Sequence, residues 1–136
     1  MVARTETMNL SKDLLLKSLR TVLFGEKLDA SDFAEADWKS IFQLADEQTV
    51  SALLLDGMSL LPSECIAISL GDKLKRIATM QRIEQINRLH RKVIVKINQA
   101  FKSEGIPVVF MKGQTTALRY PNPFQRQSLS QYDLER

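Results

Sequence analysis

The sequence predicts a mainly α protein: an N-terminal helical bundle, then one long helix leading into the first strand–turn–helix of an α/β core. Three observations carry that expectation. Apolar residues recur every three or four positions over long stretches, Ile77 to Ala100 above all. Breakers punctuate those stretches at Gly25, Pro62 and Gly105. Finally, residues 107–111 (PVVFM) form a continuous apolar run, β-branched and aromatic, between the turn signals Gly105 and Lys112-Gly113.

Residues 1–8 are polar and are expected to fray. Ser11 is a candidate cap for a first helix through Phe24, stopped by Gly25. Leu15, Leu19 and Val22 share one face, with Leu16 and Leu23 beside them and Lys12, Lys17 and Arg20 opposite. Such a stripe is more often a core face than a membrane-surface helix. Residues 26–31 read as a polar linker. A second helix starts at Ser31-Asp32 or at Asp37 and runs to about Glu47, with Phe33, Trp38, Ile41, Phe42 and Ala45 inward. Trp38 is read as a core anchor rather than a base-stacking platform, because no basic aromatic cluster surrounds it. A third helix over residues 49–60 turns Val50, Leu53, Leu54 and Met58 inward and ends at Pro62. It carries Asp56 and no Lys or Arg, so it makes a poor DNA-recognition helix.

After an irregular connection over residues 62–70, a long helix runs from Gly71 or Asp72 to Glu104, with Gly105 as its stop. Ile77, Met80, Ile83, Ile86, Leu89, Val93, Ile97 and Ala100 are its expected inner face. The outer face is basic: Lys73, Lys75, Arg76, Arg82, Arg88, Arg91, Lys92, Lys96 and Lys102. A solvated face is the common meaning of such a row, and contact with nucleic acid or an acidic partner is the other. His90, the only histidine, has no ligand-type neighbour one turn away and is expected at the surface. Residues 107–111 then read as a buried strand, Lys112-Gly113 as a turn, and residues 114–120 as a short helix closed by Pro121-Asn122-Pro123. Only residues 129–134 offer this strand a neighbour, so at most a two-stranded ribbon is expected.

Composition narrows the class. At 136 residues with 44% hydrophobic and 26% charged residues, the chain suits one globular domain. A net charge of +3 permits contact with polyanions without requiring it. Cys65 stands alone, which excludes an intrachain disulfide and argues against a zinc cluster. A reducing, cytoplasmic setting is therefore expected. The N-terminus lacks the apolar core of a secretory signal, and no stretch has the roughly 20 apolar residues of a membrane span.

The order of apolar strand, Lys-Gly, short helix, Tyr-Pro-x-Pro and Arg resembles a family of uncharacterised bacterial nucleotidyltransferases, distant relatives of the polymerase-β-like superfamily. The resemblance is carried by Gly105-Ile106, residues 108–113, Ala117, Tyr120-Pro121, Pro123 and Arg126. Upstream it is carried by Asp37-Trp38, Leu44-Ala45, Glu47-Gln48, Val50, Asp56-Gly57, Leu61-Pro62, Asn87 and Leu89. It implies an α/β nucleotidyltransferase fold, a nucleoside triphosphate substrate, Mg²⁺, and transfer of a nucleoside monophosphate to an acceptor hydroxyl. It further implies a nucleotide-binding set of Lys112, Gly113, Gln114 and Arg126, in which Lys112 either meets phosphate or closes the strand and Arg126 either binds phosphate or braces the acidic strand. Gly113 would let the triphosphate reach the backbone, and the helix from Gln114 would offer N–H groups.

The family pattern continues with Gly-Asp-Ile-Asp-Leu, whose two carboxylates hold the metal. Here the sequence reads Ser128-Leu129-Ser130-Gln131-Tyr132-Asp133-Leu134. With one inserted residue, Asp133 falls on the second carboxylate and neutral Gln131 on the first, and Gln is no substitute for an anionic ligand. Asp133 is thus the only candidate metal ligand and catalytic carboxylate. The chain is accordingly expected to be the N-terminal portion of such an enzyme, truncated at its active site and inactive as it stands. Residues 1–70 would be the helical region, and residues 71–136 the long helix with the start of the α/β core. The alternative is a non-catalytic helical module that binds protein or nucleic acid, with self-association through the exposed strand.

Overall fold

In a computed structural model, which describes residues 2–127, the chain forms five α-helices and three short 3₁₀ turns, two of them between helices and one after the last. The first is α1, Val2–Phe24. It begins well before Ser11, which lies inside the helix and is buried instead of capping it. No glycine or proline precedes Gly25, so nothing in the chain stops the helix from propagating back over the residues expected to fray. Gly25, at φ +69°, ends it as expected. The buried face also differs from expectation. Ser11, Leu14, Leu15 and Ser18 face inward, while Leu16 and Leu23 are exposed. Two serines belong there because α3 crosses closely, and the Ser18 hydroxyl is satisfied within the helix by donating to the Leu14 carbonyl at 3.0 Å.

A 3₁₀ turn, Ala30–Phe33, is capped by Asp29. It places Phe33 in the core without beginning the second helix. That helix, α2, is Trp38–Glu47, and the Asp37 carboxylate accepts from the Ser40 N–H at its start. α3, Ser51–Met58, is shorter than predicted, its last residues forming a turn before Pro62. α1, α2 and α3 pack on one another around Leu14, Phe33, Trp38, Ile41, Phe42, Ala45, Leu54 and Met58. Trp38 is the anchor expected of it. It is 3% exposed, its ring stacks on Phe33 at 5.5 Å between centroids, and its indole N–H donates to the Cys65 carbonyl at 3.0 Å.

α4, Leu70–Ser103, starts at the Ser69 cap and ends just before Gly105, at φ +71°. Its first half joins the bundle. Arg76 holds both carboxylate oxygens of Asp46 at 2.8 and 2.7 Å and lies over the Phe42 ring at 4.3 Å. Beyond Asn87, the predicted inner face is not covered by the described residues. Leu89, Val93, Ile97 and Phe101 are exposed, and only Ile83 and Asn87 of the whole helix are buried. The periodicity is genuine, but among the described residues the chain that returns to α4 around Phe124 meets it beside Arg88, Arg91, Ile94 and Val95 and leaves the stripe of Leu89, Val93 and Ile97 uncovered.

The predicted strand is not present. Residues 106–111 are irregular, and no strand occurs among the described residues. Extended chain becomes a strand only when a second strand accepts and donates the ladder hydrogen bonds. Among the described residues none is available, and residues 129–134, the expected neighbour, lie outside them. The α/β element of the expected fold is therefore not seen, whereas its mainly α character is. The last helix, α5, is Gly113–Ala117, ending earlier than predicted, and a 3₁₀ turn at Pro123–Gln125 follows. Among the described residues, no helix is long and apolar enough to cross a membrane.

Candidate functional site

The site is built where the chain turns back onto the middle of α4. Lys112 has φ +60° and ψ −159°, a backbone region that non-glycine residues rarely enter, and Gly113 follows at φ +35°. Two bonds from Thr115 close this turn. Its N–H donates to the Lys112 carbonyl at 2.8 Å, and its hydroxyl donates to the Phe110 carbonyl at 2.8 Å. Past α5, the Asn122 side chain accepts from the Phe124 N–H at 3.0 Å and so caps the turn at Pro123.

Asn87 ties these pieces together. It projects from the buried face of α4 and is 2% exposed. Its amide nitrogen donates to the carbonyls of Phe124 at 2.6 Å and Arg126 at 2.7 Å. Its amide oxygen accepts from the Gln114 side chain at 3.2 Å. One side chain thus fixes α5 and the segment ending in Arg126 against the same point of α4. Phe124 lies beneath two guanidinium groups, Arg88 at 4.0 Å and Arg91 at 5.7 Å from the ring centre. A cleft of about 230 Å³ runs between these parts, lined by Arg91, Phe110, Gln114, Thr115 and Phe124 among others.

Of the predicted nucleotide-binding residues, Gly113, Gln114 and Arg126 come together. A Cβ placed on Gly113 would lie 4.0 Å from Nη1 of Arg126, so this cation sits beside the bare glycine backbone. Lys112 is next in the turn and exposed. Gln114 is engaged by Asn87, which makes it a brace of the site. α5 has five residues, too few for a substantial helix dipole. The anion-attracting groups are therefore the two cations and the turn's N–H groups. Asp133 lies outside the described residues. His90 is exposed, as expected.

Residue chemistry alone does not predict the bracing by Asn87 or the Phe124 stack, although Asn87 figures in the family resemblance. The available signal was position: Asn87 lies on the same face of α4 as Ile83 and Ile94. A polar residue in a buried stripe needs partners.

Among the described residues, the carboxylates that a Mg²⁺ ion would require are not gathered at this site. Among the described residues, no three acidic, histidine or cysteine side chains form a group able to hold a metal. Glu84, one turn from Asn87, is directed to Arg88 and Asn122.

The family described as uncharacterised nucleotidyltransferase matches residues 34–129, about seven-tenths of the chain. The chain belongs to this family. The part matched to the uncharacterised nucleotidyltransferases contains Asn87, the Lys112-Gly113 turn, Phe124 and Arg126. It leaves out α1, whose Leu14 and Leu15 nevertheless complete the core on which the family's segment packs. Searches of curated proteins and of solved structures found no match.

Proposed function

We propose that the chain binds a nucleoside triphosphate at the Lys112-Gly113 turn, as the phosphate-binding part of a nucleotidyl-transfer site. In that reaction an acceptor hydroxyl attacks the α-phosphorus and pyrophosphate leaves, so the nucleotide must be held by its phosphates with the α-phosphorus open. The observation that carries the reading is the juxtaposition of the glycine-like turn with the Arg126 guanidinium. The turn leaves backbone N–H groups uncovered by a side chain at Gly113. Arg126 supplies a planar, permanently charged fork suited to phosphate oxygens, and Lys112 adds a mobile point charge. Asn87 and Gln114 hold the geometry. Family membership supports the reaction class. Mg²⁺ belongs to the reading through the resemblance alone, because no acidic cluster among the described residues could hold it.

Nucleotide affinity tests the reading. Titration of the chain with ATP and GTP should show binding that Arg126→Gln weakens by about tenfold, the scale of one charge-assisted phosphate contact. Gly113→Val should weaken it at least as much, by straining the turn and covering the backbone. Equal affinity in all three proteins rules the site out. With labelled triphosphates and mixed acceptors, the 136-residue chain should form no product above the Gly113→Val background, because neutral Gln131 stands where the resemblance puts the first metal-holding carboxylate. Robust product dependent on Gly113 would overturn the inactive part of the reading.

A second reading, a non-catalytic helical module that binds protein, is favoured by the exposed apolar residues Leu89, Val93, Phe101, Val109 and Met111.

A further inference from the structure

Residues 85–103 contain no Asp or Glu, yet hold Arg88, Arg91, Lys92, Lys96 and Lys102. On α4, Arg88, Lys92 and Lys96 fall at i, i+4 and i+8, a single ridge with cations about 6 Å apart along the axis. Arg91, Val95 and Gln99 lie beside them, and Phe124 closes the far wall. Together they line an open trough of about 520 Å³. Arg91, Val95 and Phe124 also line the cleft at α5, so the two depressions adjoin. Among the described residues, Arg91, Lys92 and Lys96 have no acidic partner, and Arg88 has only Glu84 at 3.9 Å.

We propose that this trough binds single-stranded nucleic acid through its phosphodiester backbone. Charge spacing selects the ligand class. One phosphate group would satisfy one step of the ridge, whereas a chain with one negative charge per repeat satisfies the whole ridge. Beside the cations, Phe124 and Val95 offer apolar surface, and Arg88 and Arg91 already lie over the Phe124 ring. Because these guanidinium groups cover the ring, an unpaired base would stack on the exposed Arg88 plane that Phe124 backs, and paired bases present no free face to it. The lining is mostly charge and apolar surface, with Gln99 its one neutral polar side chain, so weak sequence preference follows. The proposal stands apart from the nucleotide reading, because it uses a different set of side chains and requires no chemistry.

The test is fluorescence anisotropy with labelled oligouridylate, oligothymidylate and a mixed-sequence DNA duplex, at salt concentrations from about 50 to 200 mM. The groove variant carries Arg91→Gln, Lys92→Gln and Lys96→Gln, all exposed positions that keep helix-forming residues. A control variant removes the same charge from α1 with Arg4→Gln, Lys12→Gln and Arg20→Gln, also exposed. Both should keep the circular dichroism of the parent. The groove variant should lose about tenfold or more in affinity for the single strands, with a salt slope shallower by about 2 for three cations removed. The control should stay within about twofold of the parent, its charges being off the strand's path. The two single strands separate RNA from DNA as the source of the backbone. No binding to either at low salt overturns the proposal. So does equal weakening by the control variant, which would make the effect one of net charge, and so does a duplex bound as tightly as the single strands.

Discussion

At the scale of single residues, two side chains carry unusual weight. Trp38 joins Phe33, Phe42 and the Cys65 carbonyl. Trp38→Ala should cost about 3–5 kcal/mol in denaturant unfolding followed by circular dichroism. A loss below about 0.5 kcal/mol would show that the indole is not a core group. This role was legible in the sequence, because a tryptophan at helical spacing from Ile41, Phe42 and Ala45 has one obvious place to go. Asn87 is a different case. Asn87→Ala would leave two carbonyls and the Gln114 amide without that partner, at a cost of about 1–3 kcal/mol for groups buried without bonds. The local effect should exceed the global one, with tryptic cleavage after Lys112, Arg119 or Arg126 faster than in the parent. Unchanged cleavage would mean that the segment is held by something else. Which carbonyls Asn87 would reach, 37 and 39 residues away, was not legible. Sequence patterns record what a residue needs and leave its partner open.

Elements were legible where local chemistry decides them. Asp37 caps α2, and Gly25 and Gly105 end α1 and α4, because a cap depends on only a few neighbouring residues. The Asp37 carboxyl is held below its ordinary range by the Ser40 hydroxyl and N–H. Its contribution is therefore complete above the usual carboxylate range and fades as pH falls through the lowered value. What local chemistry could not supply was the distance between elements. α3 approaches α1 so closely that a Cβ on Gly57 would lie 3.1 Å from both Cβ and the carbonyl oxygen of Ser18. Gly57→Ala should thus destabilise by about 1–3 kcal/mol, since backbone must move. Gly71→Ala makes the contrasting case. It sits in the first turn of α4 with only the Ser69 hydroxyl near, at 4.0 Å, and should stabilise by up to about 1 kcal/mol. Thermal melts of the two variants, shifted in opposite directions, would check the packing.

At the scale of the whole molecule, the apolar run at residues 107–111 suits a strand by composition, but strand formation is a property of pairs. Val109 and Met111 are 82% and 79% exposed, and the N–H groups of residues 108–111 have no partner among the described residues. A chain presenting such a segment should associate as its concentration rises. Sedimentation velocity should show this, with Val109→Lys reducing it. A monomer at every concentration would contradict the expectation.

α4 is about 50 Å long at 1.5 Å per residue, and its lateral support among the described residues comes from α3 along its first half and from the Pro123–Gln125 turn around Asn87 to Arg91, with little beyond. Its backbone amides therefore form a ruler of opening free energy. Those near Ile83 can exchange with solvent deuterium only when the bundle opens, whereas those approaching Ser103 need only local fraying. Deuterium uptake should accelerate steadily from the middle of the helix to its end, and nucleic acid laid along Arg88, Lys92 and Lys96 should slow it there and nowhere in α1.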